Sequence, residues 1–493
     1  MDYSQFLAMK QEIALLVVFL LVFLYDTFMP RSSQKGLPVF TTILMLAATA
    51  FGIAGSFCSC CAAPTDAFAG MYESSAVIIG IKNILNIGVV IVLIQSIKWA
   101  NGELMIMRRG EFYELLLVTL FGMYLMISAR HFLTFVIGLE CASLPLAAMV
   151  AFDKNRYESH EAAVKYMLTA VFSSAIFMMG LSFVYALTGS LYFSKIYIAL
   201  AGQQSTMLII ALAFVISGVG FKLSLVPFHL WTADVYQGAP TSVTAYFSVI
   251  SKGAAAFAFM VILSQVFGLW FAEVWEWMLY ALIVLTITIG NLFAIRQRNM
   301  KRFLAFSSIS QAGYIMLGII AYNALGVAAM MFYILVYIFS NLAAFGVIGA
   351  IENATGKVSM DDYRGLYRTN PRLAFTMMLA MFSLAGIPPF AGFFSKFFIF
   401  TAALQGASPA IYVLVLIALI NTIISLYYYL LVVKAMFISE EECVIPTFRS
   451  GCGERIGMWI SLAGVMLLGL ASCVYSYLIV TAADSNIATF FIR

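Results

Sequence analysis

The sequence predicts an all-α polytopic membrane protein of about fourteen transmembrane helices, and three observations carry that prediction. Of 493 residues, 63% are apolar and 10% charged, against roughly 45–50% and about 25% in an ordinary soluble domain. Mean hydropathy is +0.99. Apolar runs of about twenty residues, the length that crosses a bilayer, recur along the whole chain.

In order, the runs fall near residues 12–29, 40–61, 75–97, 113–129, 132–152, 161–187, 205–230, 241–267, 274–295, 303–321, 325–350, 373–404, 410–437 and 456–481. Charge or Gly/Pro clusters bound them. No small-residue cleavage pattern follows the first run, so it is expected to be a retained helix. Arg31 and Lys35 separate the first two spans, and Lys98, Arg108 and Arg109 close the third. Arg130 divides the fourth from the fifth, Lys154 and Arg156 the fifth from the sixth, and Lys195 the sixth from the seventh. Arg296, Arg298, Lys301 and Arg302 lie between the ninth and tenth, Lys357 to Arg372 between the eleventh and twelfth, Lys434 at the end of the thirteenth, and Arg449 and Arg455 between the last two.

With this span count, 18 of the 27 basic residues fall on one face and 4 (Lys10, Arg130, Lys195 and Arg493) on the other. The positive-inside rule makes the basic-rich face cytoplasmic and puts both termini outside. The longest stretches without a strong apolar run, 352–372 and 439–455, are too short for an independent core, which excludes a hidden cofactor-binding domain. A net charge of +4 scattered over fourteen spans makes no patch for nucleic acid. The seven cysteines, Cys58, Cys60 and Cys61 among them, lack the paired spacing of a metal or cluster site.

The remaining five basic residues, Lys82, Lys165, Lys222, Lys252 and Lys396, lie inside spans, and Glu140 joins them. A charge at a helix centre costs roughly 2.5–3.5 kcal/mol, so these side chains are expected to face protein or water. Lys82 and Lys165 lie near span ends, where snorkelling to the headgroups is an alternative. Prolines accompany three of the charges: Pro145 five residues after Glu140, Pro227 five after Lys222, and Pro388-Pro389 shortly before Lys396. A proline frees backbone carbonyls, so charge beside a helix break reads as a wet polar site, the alternative being a kinked helix. The breaks beside Lys222 and Lys396 are five spans apart, an odd number, which suggests an inverted repeat. Burial favours a neutral amine and a nearby carboxylate favours a charged one, so a Glu140–Lys222 pair suits proton movement. His229, Ser251, Ser307, Ser308, Ser310 and Gln311 supply polar groups for a hydrogen-bonded path. No dinucleotide, haem or cluster motif is present, so any driving energy is expected from another subunit or an ion gradient.

The stretch from Lys222 through Pro227-Phe-His229-Leu-Trp and Asp234-Val-Tyr-Gln-Gly to Ser251-Lys252 resembles the signature of the antiporter-like membrane subunits of respiratory complex I, in their subunit N branch, the counterpart of mitochondrial subunit 2. Glu111-Phe-Tyr, Gly138-Leu-Glu140, Glu161-Ala-Ala-Val-Lys165-Tyr, Gly290-Asn-Leu, Ser307-Ser308 and Ser383-Leu-Ala-Gly-Ile-Pro-Pro-Phe-Ala-Gly-Phe-Phe-Ser-Lys396 extend the resemblance over residues 110–435. It implies Glu140 and Lys222 as the ion pair of a first half-channel, Lys252 as the central lysine and Lys396 as the lysine of a second. Lys165, His229 and Gln311 are implied in support, with helix breaks at Pro145, Pro227, Pro388 and Pro389.

The implied organisation is an N-terminal three-helix segment (1–110), two inverted repeats (111–267 and 268–438) and a loop with a last helix (439–493). The implied activity is proton translocation as a subunit of NADH:quinone oxidoreductase in a bacterial plasma membrane. This chain would hold no cofactor and no metal, with NADH, flavin, iron–sulfur clusters and quinone in partner subunits. Antiporter-like subunit M, small subunit K and lipid are the implied neighbours. Gln311 stands where many relatives have histidine, and Ala233, Ser242 and Leu431 are further departures. A subunit of a multisubunit cation/proton antiporter or membrane-bound hydrogenase of the same fold remains the alternative.

Overall fold

The computed structural model describes residues 3–30, 33–56, 65–202, 205–268, 271–438, 443–471 and 473–483. Arg31, Cys58, Cys60, Cys61 and Arg493 lie outside them. Thirteen helices are long and apolar enough to cross a membrane, and the expected twelfth span is made by two shorter apolar helices in series. The chain is therefore an all-α polytopic membrane protein.

The first six helices are α1 (Lys10–Phe28), α2 (Leu37–Ser56), α3 (Ala76–Ala100), α4 (Arg109–Ser128), α5 (Phe132–Val150) and α6 (Tyr157–Thr188). A two-stranded antiparallel hairpin, Thr65–Ala67 with Tyr72–Ser74, joins α2 to α3. The short α7 (Phe193–Ala199) leads to α8 (Thr206–Leu223). Side-chain caps begin several helices where their first backbone N–H groups lack partners, as Ser75 does for α3 and Ser205 for α8.

One expectation about breaks changes, and the break at Pro227 is found as expected. Pro145 lies inside α5, which runs unbroken past it. Losing one backbone hydrogen bond does not unwind a helix packed tightly against its neighbour, and α4 and α5 approach so closely that a Cβ on Gly138 would meet the backbone N of Met126 at 2.7 Å. The seventh span is helical only to Leu223. Its chain turns at Ser224, whose φ is +61°, and restarts as α9 (Leu230–Gly238).

The eighth span is α10 (Thr241–Tyr246), a π-helical turn over Phe247–Ser251, and α11 (Lys252–Ile262). Then come α12 (Ala272–Ile295), α13 (Met300–Ile320), α14 (Ala324–Thr355), the single turn α15 (Leu366–Thr369), α16 (Pro371–Ala385), α17 (Ala391–Leu404), α18 (Pro409–Ile438), α19 (Cys452–Leu470) and α20 (Cys473–Ala483). The last expected span, 456–481, is thus divided between α19 and α20. The eighth span and α13 are wholly buried and α14 almost so, while α6 and α18 turn much of their surface outward. This inverts the usual amphipathic pattern: the polar side chains line the enclosed helices and the apolar ones face the lipid.

Between α16 and α17 the chain opens at Gly386, whose φ is +87° and whose N–H closes the helix on Phe382 and Ser383 carbonyls. A Cβ there would meet Lys396 Cδ at 3.1 Å. Gly386→Ala therefore combines a left-handed alanine, costing about 1–2 kcal/mol, with a push against Lys396. A lowered thermal midpoint of the purified protein is expected, and an unchanged midpoint would contradict this account of the turn.

Candidate functional site

Three lysines form the site, each about 95% or more buried: Lys222 at 5%, Lys252 at 2% and Lys396 at 5% exposure. Lys222 stands in the last turn of α8, and its Nζ donates to Tyr166 Oη on α6 at 3.2 Å. Lys252 begins α11, and its Nζ donates to Ser308 Oγ on α13 at 2.7 Å. Lys396, on α17, donates to the carbonyls of Leu384 and Ala385 at the end of α16, both at 3.0 Å. Each amine also has a tyrosine ring close by: Tyr166, Tyr236 and Tyr314, with centroids 5.8, 5.5 and 5.3 Å away.

Glu140 does not form the expected contact pair with Lys222. Its Oε1 is buried without a hydrogen-bond partner, and it acts on Lys222 only through the Coulomb field. Lys222 instead spends a proton on Tyr166, whose ring is packed against Phe221, Trp231 and Phe247. The carboxylate and the amine are coupled without touching.

His229 is buried at the start of α9, with Nδ1 unpartnered and within Coulomb range of Lys252. Beyond Lys252, α13 carries a hydrogen-bonded cluster. Ser307 Oγ and Tyr429 Oη are 2.5 Å apart, Gln311 Nε2 donates to Tyr429 Oη at 3.3 Å, and Tyr333 Oη donates to Gln311 Oε1. Gln311 Nε2 also reaches the Leu384 carbonyl at 3.4 Å, the same oxygen that Lys396 uses. Gln311 thus joins the helix of Ser308 to the lysine of the second break through one shared acceptor.

Lys165 lies elsewhere. It is 42% exposed on α6 and paired with Glu161 and Asp234, both at 2.7 Å, while Arg302 holds the other Asp234 oxygen at 2.6 Å. These groups line a surface cavity of about 200 Å³ on the basic-rich face and tie α9 to α6 and α13. Lys165 is therefore at the rim, not on the buried axis.

Sequence reasoning missed two kinds of group. The tyrosines Tyr166, Tyr314, Tyr333 and Tyr429 look like any of the 25 tyrosines until their hydroxyls are placed. Glu12, at the margin of the first span, is the partner of Lys82: the pair is 2.5 Å apart with both side chains 1% exposed. Ser128 and Tyr72 complete the Lys82 shell at 2.6 and 3.3 Å, so the lysine does not snorkel. Among the described residues no three His, Cys, Asp or Glu side chains gather where a metal ion could be held.

Lys82→Met alone leaves Glu12 as an unpaired buried carboxylate, and a loss of about 3–5 kcal/mol is expected. The double variant Lys82→Met, Glu12→Leu should recover most of it in a denaturation series. Equal losses in single and double variants would show that the pair is not the clasp described here.

Residues 129–425 match the family described as NADH:quinone oxidoreductase/Mrp antiporter, TM. The NADH-quinone oxidoreductase subunit N of Phocaeicola vulgatus is 51% identical over 483 residues, spanning 98% of this chain and 100% of the relative. A chain of respiratory complex I from Thermus thermophilus, solved with bound aureothin, superposes with a TM-score of 0.77 at 31% identity, covering 93% of this chain and 97% of that one. A chain of the Mrp complex from a Dietzia species gives a TM-score of 0.82 at 21% identity, covering 99% and 98%, and so shares the fold. With half its residues identical to a relative matched end to end, the chain belongs to the subunit N family of NADH-quinone oxidoreductases.

Proposed function

We infer that this chain is the non-redox, proton-translocating N subunit in the membrane arm of an NADH:quinone oxidoreductase, moving protons as quinone is reduced in other subunits. The observation that carries it is the set of three buried amines bonded to neutral oxygens, with Gln311 on the helix of Ser308 sharing the acceptor of Lys396. Such amines can each hold or release a proton without breaking a contact ion pair. The 51% identity to a subunit N favours this reading over an Mrp-type antiporter subunit, whose likeness is one of fold.

In this reading the basic-rich face is cytoplasmic, the membrane is the bacterial inner membrane and both termini are outside. Residues 111–267 and 268–438 are the inverted repeats, each with one broken helix, after the three-helix segment 1–110 and before the closing segment 439–493. Glu140 biases Lys222 in the first half-channel, Lys252 is the central carrier, and Lys396 serves the second half-channel. His229 and Gln311 bridge between them, and Lys165 with Asp234 forms part of the cytoplasmic rim. NADH, flavin, iron–sulfur clusters and quinone belong to partner subunits, and subunits M and K flank this one.

The energetics are of useful size. Carrying one charge against 100 mV costs about 2.3 kcal/mol. A tenfold change in proton affinity takes about 1.4 kcal/mol, so two such steps cover it. Motion of Glu140 toward or away from Lys222 alters a Coulomb interaction of about 4 kcal/mol at contact for an effective dielectric of 20.

Lys222→Ala in the parent complex is the test. The complex should assemble while quinone reduction and proton pumping fall together by tenfold or more. Normal pumping in an assembled complex would remove Lys222 from the route.

A further inference from the structure

A cavity of about 240 Å³ opens at the basic-rich face between α3, α10, α14 and α19, away from the Lys222 break. Its wall carries Asp153, Arg156, Thr241, Ser242, Glu352 and Glu454. Water takes about 30 Å³ per molecule in the liquid, so the space holds several waters among these polar groups. Glu352 is fixed by Arg156 at 2.8 Å and by the buried Lys301 at 3.1 Å, and Thr241 donates to it. The cavity is thus a built polar chamber whose floor reaches Phe345 and Ala245.

Beneath the floor, one face of α14 continues inward. Glu352, Gly349, Phe345, Asn341 and Tyr337 follow at helical spacing on one stripe. Asn341 Nδ2 donates to Ser248 Oγ at 2.8 Å, and Ser248 precedes Lys252 by one helical turn. Asn341 Oδ1 is buried and has no hydrogen-bond partner among the described residues. Tyr337 lies beside Ser308, the acceptor of Lys252. An orphaned buried polar atom costs about 1–3 kcal/mol, and one placed between a wet cavity and a buried amine marks a position for water. The gap from Phe345 to Tyr337 is eight residues, about 12 Å along the helix.

We propose that this chamber is a second proton entrance, which delivers protons from the cytoplasmic face to Lys252 along α14 and α10 by way of water, Asn341 and Tyr337, without passing Lys222. Phe345, on the chamber floor one helical turn from Asn341 along the same stripe of α14, is its gate. Protons move by hydrogen-bond exchange along waters and side-chain oxygens, so no bond other than O–H and N–H changes. Two entrances give Lys252 a source of protons in whichever state the Glu140–Lys222 region leaves closed. This inference rests on the reading of the buried lysines as proton carriers.

The test uses the assembled parent complex in sealed inside-out vesicles, measuring proton pumping beside quinone reduction. Asn341→Leu should slow both at least fivefold, and Asn341→Asp, which keeps an oxygen at the same place, should restore most of the rate. Ser242→Cys, on the chamber wall, should react with a charged thiol reagent from the cytoplasmic face and lose at least fivefold in turnover relative to reagent-treated wild type. If Asn341→Leu does not assemble, the Ser242→Cys result decides alone. Wild-type pumping in assembled Asn341→Leu, or labelled Ser242→Cys with full turnover, overturns the second entrance. Lys252→Ala separates the two levels: loss of pumping there with normal Asn341→Leu removes only the entrance, whereas normal pumping in Lys252→Ala removes the proton-carrier reading itself.

Discussion

Everything in this fold turns on supplying oxygen atoms to amines that have left water. At the second break the supply is backbone: α16 stops at a left-handed glycine, and its last carbonyls, Leu384 and Ala385, receive Lys396. At the first break Lys222 itself stands in the last turn of α8. The Lys396 ammonium therefore sits at the negative end of a half-helix, where unpaired carbonyls and aligned peptide dipoles favour a cation, while Lys222 rises from the last turn of its half-helix to the Tyr166 hydroxyl. A broken helix is costly in lipid because its backbone groups go unsatisfied, and a buried lysine is costly because its charge does. Put together, each cost offsets the other.

The packing follows from this. An amine bound to carbonyls or hydroxyls still cannot face lipid, and the helices around the central lysine are enclosed: the eighth span, α13 and α14 have almost no outer surface. Alpha-13 is the hinge of the arrangement in a chemical sense, with Ser308 turned to Lys252 and Gln311 turned to the oxygen of Lys396. Tyrosines fill the remaining space because a ring packs as a hydrophobe while its hydroxyl remains a donor and acceptor.

Two kinds of Glu–Lys relationship coexist in the chain, and their distances separate their roles. Glu12 and Lys82 touch, are shielded together and are closed by Ser128 and Tyr72, which suits a fixed clasp between α1, α3 and α4. Glu140 and Lys222 are coupled without contact, and the carboxylate keeps an unused oxygen. A contact pair in a low dielectric resists change, whereas a separated one responds to small movements.

The sequence by itself determined the class of molecule, the fourteen spans and the charges that had to be buried, because the bilayer imposes a length and a penalty that can be read along one chain. It also placed the polar groups of α13, Ser307, Ser308 and Gln311, on the right element. It misread Pro145, since whether a proline breaks a helix depends on what packs beside it, and it left open for Lys165 the span-end position where it lies exposed at the rim. Tertiary structure alone decided who meets whom: Lys82 with Glu12 across 70 residues, Lys222 with Tyr166 across 56, and Lys252 with Ser308 across 56. Those partners are chosen by helix–helix packing, whose distances are not encoded in any local spacing, and so isolated lysines in the sequence acquire their oxygen partners only in three dimensions.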